Sequence, residues 1–158
     1  MDAAPKGECC ELAPEAQTCP ERNARVRGAC PACAGRTIPV SAAHVMRHVS
    51  GPAGRGIAGE HGFCPAPGCR VIFVAGDGAV FTTADVRHPP AYKSGDQRDL
   101  LCFCFDVCGD DALSDAGDRL IAFIGDRVRA KDCACDTLNP SGGCCLGSIA
   151  RYRKRHTV

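Results

Sequence analysis

The sequence predicts an α+β protein, a small β-hairpin module built on a cysteine knuckle and then a small, mainly helical module with a second cysteine group. Three observations lead there. Fourteen of the 158 residues are cysteine, whereas aromatics make up 5% and Trp is absent. Modules this small bury too little surface to stand on apolar packing alone, so cross-links through sulfur are expected. The cysteines also fall in pairs at short spacing, and the strand-like and helix-like periodicities separate, strands before residue 90 and the longest helix after it.

Taken in order, residues 1–28 mix Ala, Pro, Glu and Arg without apolar periodicity and read as a disordered arm carrying Cys9, Cys10 and Cys19. A module follows over 29–95. "CPACAGRTIPV" sets a tight turn between two cysteines ahead of a β-prone run at 37–40, and Ser41 is placed to N-cap a two-turn helix, "AAHVMRHV", closed by Gly51. After a Gly-rich loop over 50–62, "FCPAPGC" gives a second cysteine turn. The runs 71–74 and 79–83, joined by Gly76-Asp77-Gly78, read as a hairpin. "RHPPAYKSGDQ" breaks regular structure, and the boundary is set at 89–95. In the second module, 96–158, "DLLCFCFDVCGDD" is extended and then acidic and irregular. Asp118 is placed to cap "RLIAFIGDRVRA", whose Leu120, Ile121, Ile124 and Val128 share one face, and a last short helix runs over 146–154.

Charge excludes more than it selects. Nineteen basic and eighteen acidic residues leave a formal charge of +1, which gives no reason to expect nucleic acid as a partner. The basic tail at 151–156 reads as a solvated helix end, where cations suit the dipole. No basic n-region with an apolar run opens the chain, and nothing approaches the ~18 apolar residues of a membrane span, so a cytoplasmic location is expected. In a reducing cytosol, paired cysteines point to metal or redox roles before disulfides. No nucleophile with a matching base and no paired carboxylates occur, so the expectation is a metal-binding protein and not a conventional enzyme.

Cys30-x2-Cys33 and Cys64-x4-Cys69 form the first candidate site. Two tight turns, each offering two thiolates, make the four-sulfur tetrahedral cage that structural Zn²⁺ prefers. His44 and His48, one helical turn apart, are the alternates as ligands. The second candidate is Cys102-x-Cys104 with Cys133-x-Cys135 and Cys144-Cys145. A C-x-C pair in an extended segment turns both sulfurs to one side, and two thiolates on each iron is how four cysteines hold a [2Fe-2S] cluster. The Asn-Pro-Ser-Gly-Gly stretch, 139–143, lets the backbone turn tightly and aim amides at cluster sulfur.

"LCFCF" with "CACDTLNPSGGCCLG", preceded by "CPAC", "CPAPGC" and "KSGD", resembles the N-terminal module of CopZ-type copper chaperones over about residues 29–150. Its second half is similar to the bacterioferritin-associated-ferredoxin-like domains. The resemblance implies a zinc site in the first module and a [2Fe-2S] cluster in the second. Carried over, it places Cys102 and Cys104 on one side of the cluster, completed by Cys135 and Cys145. Spacing leaves Cys133 and Cys144 as alternates, and Cys108 has no counterpart. Full chaperones continue into a copper domain with an M-x-C-x-x-C loop, a motif this sequence lacks, so copper transfer by that route is not implied. The expected role is a one-electron redox partner in handling copper, mercury or another soft metal, alongside a separate copper chaperone, an efflux pump or an electron donor. Two other readings compete: an interaction module with two structural zinc sites, and a thiol-rich protein that traps soft metal.

Overall fold

The computed structural model describes residues 28–51 and 57–157. The expected arm with Cys9, Cys10 and Cys19, and much of the Gly-rich loop, lie outside them. The architecture is α+β, an antiparallel sheet and a two-stranded ribbon accompanied by short helices. The sheet is β1 (Ile38–Val40), β2 (His61–Phe63), β3 (Val71–Ala75) and β4 (Val80–Thr82), antiparallel throughout and ordered as in the chain. The β3–β4 hairpin turns at Gly76-Asp77-Gly78, where Gly78 takes a φ of +89° and the Asp77 carboxylate accepts from the Ala79 amide.

Strand β2 corrects the expected loop over 50–62. It is paired on both sides, with Gly62 opposite Pro39 and Val74. Gly62 cannot be replaced freely, because a Cβ there would lie 2.6 Å from Thr37 Oγ1. Helix α1 (Ala42–His48) starts at Ser41, whose hydroxyl accepts from the His44 amide. It ends earlier than Gly51 suggests. Val49 turns extended and bridges to Val86, so strand-like pairing stops the helix. Val45 and Val49 cover one face of the sheet, over Phe63, Ile72, Phe73 and Phe81. Phe63 and Phe73 meet edge to face at 6.0 Å.

Residues 89–95 carry a packed turn of helix, α2 (Ala91–Ser94), closed by Gly95 at φ +80°. Ala91 belongs to the second apolar core, while Tyr92 packs against both cores. The ribbon follows, β5 (Leu100–Cys102) with β6 (Val107–Cys108). The acidic segment expected to be irregular forms α3 (Gly109–Leu113). Cys108 caps it, its amide and thiol both bonded to Asp111 Oδ2, at 3.0 and 3.1 Å. Helix α4 (Gly117–Arg129) begins one residue before Asp118, which instead accepts from Arg153 at 2.6 Å. Ile124 is its buried centre, with Leu120, Ile121 and Val128 packed at the margin. After α5 (Cys135–Leu138), α6 (Leu146–His156) closes the second core with Ile149 and Tyr152, so part of the basic tail is structural. Among the described residues no helix is long and apolar enough to cross a membrane.

Candidate metal centres

The first four cysteines are gathered as their spacing predicts. Both knuckles turn sharply, Ala34 at φ 57° with its amide on the Cys30 carbonyl, and Gly68 at φ +71°. Cys30 and Cys69 stand 3.8 Å apart, sulfur to sulfur, and Cys33 and Cys64 stand 3.6 Å apart. A tetrahedral ion with bonds of about 2.3 Å to sulfur sets its ligands about 3.8 Å from one another. All four sulfurs lie within 4.8 Å of each other.

The donor chemistry fits a cation. Burial acts to raise the Cys30 thiol, but the Ala32 and Cys33 amides and the sulfurs of Cys33 and Cys64 bring it down to about 7. Burial pushes Cys64 up to about 12, against the Ala66 amide and Lys93. Sulfurs this close cannot all shed their protons unless a positive charge sits among them. One residue of the site was missed in the sequence. Lys93, within "KSGD", is buried and donates from Nζ to the carbonyls of Cys64 and Ala66, at 2.6 and 3.1 Å. It thereby clamps the second knuckle while its charge lies 5.4 Å over the Phe63 ring.

His44 and His48, the alternate ligands, are not in this group. Helix α1 directs them elsewhere: His44 Nε2 lies 3.1 Å from the Pro140 carbonyl, and His48 packs edge-on to Phe103 at 6.2 Å. His48 is buried and held neutral, its pKa lowered to about 4 by burial first and then by His44, Arg47, Arg87 and His88.

The second group is arranged differently. Cys102 ends β5, and Cys104 lies in the turn beyond it, so strand alternation is not what aims the two sulfurs. The close partners come from across the loop instead. Cys104 and Cys135 sulfurs are 3.6 Å apart, and Cys145 hydrogen-bonds Cys102. That bond, aided by the Cys104 and Phe105 amides against burial, brings Cys102 down to about 6 and drives Cys145 above the ordinary thiol range. Burial raises Cys135 to about 12. Cys102, Cys135 and Cys145 are buried and Cys104 is half-buried; of the alternates, Cys133 is half-buried and Cys144 exposed. Among the described residues, only the first group forms a cage with every sulfur within 4.8 Å. Asn139 shapes the loop from inside: buried, it accepts from the Ser141 amide and hydroxyl, while its carbonyl accepts from Gly142, at φ +66°.

No family model matches the sequence, and no curated protein matches it. A solved structure does: the X-ray structure of the Archaeoglobus fulgidus CopZ N-terminal domain. It superposes with a TM-score of 0.65 at 24% identity, over 78% of this chain and 95% of that one. The fold is therefore that of the CopZ N-terminal domain, and it brings together a cysteine group able to hold a metal ion.

Proposed function

We propose that the protein holds one zinc ion at Cys30, Cys33, Cys64 and Cys69 and a [2Fe-2S] cluster at Cys102, Cys104, Cys135 and Cys145, and serves as a one-electron redox partner in soft-metal handling in the cytoplasm. The observation that carries this reading is the contrast in sulfur geometry. All four sulfurs of the first group lie within 4.8 Å of one another, whereas in the second Cys104 and Cys135 approach to 3.6 Å and Cys102 and Cys145 shift each other's thiols without the four closing into such a cage. A mononuclear ion suits the former and a dinuclear group the latter.

When bound, such a cluster supplies a one-electron couple. The chain's own residues do the rest. Leu101, Ile149 and the other core side chains hold the second cysteine group largely out of water, the Asn139 turn shapes the loop that leads to Cys145, and Lys93 keeps the second knuckle of the first group in shape. The partners that suit this reading are a separate copper chaperone, an efflux pump or an electron donor. The two-zinc reading would need the second group to close into a cage like the first. The metal-trap reading loses a free thiol in Cys108, which caps α3.

Serine substitution tests the assignment. Cys135→Ser or Cys145→Ser is expected to abolish or strongly alter the visible absorption of protein matured with iron, and Cys144→Ser to leave it largely intact. A spectrum lost with Cys144→Ser but kept with Cys145→Ser would defeat the assignment.

A further inference from the structure

A cleft of about 400 Å³ opens where α1 and the segment after Val86 meet the loops that carry the second cysteine group, with no cysteine in its lining. Its size falls in the range of small-molecule sites, roughly 300–1,000 Å³. Two kinds of surface line it. Arg47, Arg87 and Arg98 bring three guanidinium groups, while Phe103, Leu100 and Leu138 give an apolar wall.

One lining residue carries an unpartnered buried polar atom. His48, 8% exposed, has a buried Nε2 with no hydrogen-bond partner, and a buried polar nitrogen left unpaired costs about 1–3 kcal/mol. The surrounding field is positive, and it acts with burial to keep the imidazole neutral. A neutral imidazole can still donate from Nε2. Asp99 and Asp106 also line the cleft, and Arg98 is held by Asp96 at 2.8 Å. The cationic end is therefore Arg47 with Arg87, which is joined to the Arg47 carbonyl through its guanidinium.

We propose that this cleft binds a small organic oxyanion, a carboxylate or phosphate monoester on an apolar, ring-sized body. The head lies between Arg47 and Arg87, and the body lies against Phe103. Arginine forks match such oxyanions in geometry as well as charge. The occupant would rest on the residue between Cys102 and Cys104 and at the end of α5, which begins at Cys135. None of the residues that would bind it is a cysteine.

Equilibrium dialysis of the full chain against phenyl phosphate and against benzoate tests it, with neutral benzamide and inorganic phosphate as comparisons. At least one of the two organic anions should bind saturably at one per chain, the tighter naming the head group. Benzamide should not bind, and inorganic phosphate should bind at least tenfold more weakly than phenyl phosphate. Arg47→Gln with Arg87→Gln, both exposed positions, should weaken binding at least tenfold with an unchanged circular dichroism spectrum. Arg36→Gln, outside the cleft, should bind as the parent does. Absence of saturable binding by either anion, equal affinity for benzamide, or full binding by the double variant would overturn the proposal. Inorganic phosphate binding as tightly as phenyl phosphate would overturn its apolar half.

Discussion

The two cysteine groups are held by opposite means. The first sits at one end of the sheet, on two knuckles of which the second joins β2 to β3, and among the described residues its buried apolar core is Cys30, Cys64 and Val71, so backbone turns and the Lys93 clamp give it shape. The second is embedded in a core that includes Leu101, Val107, Ala112, Ile124, Ile149 and Tyr152, and its sulfurs arrive from a ribbon, a helix start and a loop far apart in sequence. A group made of turns depends on its metal to persist, because it buries little else. A group set in a core keeps its shape by packing, and substitutions there divide more sharply between ligand and neighbour.

Changes at the first group should break the comparison most strongly. Cys64→Ser is expected to bring zinc from one per chain toward none, with loss of stabilisation on the order of 10 kcal/mol, read as zinc content and as local amide-exchange protection. If protection at 28–40 and 61–75 survived, turns alone would be sufficient. Next comes Phe73→Ala. Phe73 is fully buried and touches Phe63, His44 and His48, so a loss of about 3–5 kcal/mol is expected in urea unfolding. Because those histidines reach Pro140 and Phe103, the second region should loosen too. Exchange confined to the sheet would show the two regions to be uncoupled.

His48 gives a smaller, pH-dependent effect. Its folded pKa, about 4, lies below the ordinary value of 6.5, so between those limits the unfolded chain binds the extra proton. Stability should therefore be fully present above about pH 6.5 and fall as pH drops toward 4, by up to about 3 kcal/mol for this group. His48→Gln should flatten that part of the stability profile; an identical slope would remove His48 as its source. The smallest change is Cys108→Ala, which removes a helix cap at a cost of about 0.5–2 kcal/mol and should leave metal content unaltered. Loss of metal would make Cys108 a ligand.

What could be read in the sequence was local. The β3–β4 hairpin declares itself in Gly76-Asp77-Gly78, α1 in Ser41, α4 in its periodicity, and the first cage in the spacing of its two cysteine turns. What could not be read depends on distant partners. Strand β2 is three residues with glycine at its centre, and it is a strand because β1 and β3 flank it. The end of α1 is set by Val86. Lys93 was visible within "KSGD" but not its purpose, since Cys64 and Ala66 lie almost thirty residues earlier. The cross-loop pairing of Cys104 with Cys135 is likewise tertiary, and a C-x-C read as a strand pairs Cys102 with Cys104 instead. A cysteine cap is uncommon, so Cys108 gave no signal.

The account stands or falls on what the two sulfur groups hold. Iron, acid-labile sulfide and zinc should be measured together on anaerobically purified protein from iron-replete cells, with EPR after reduction. Two irons, two sulfides and one zinc per chain, with a red-brown colour and a signal from the reduced cluster, are the expected result. A colourless, EPR-silent protein with two zinc ions and no sulfide would contradict it.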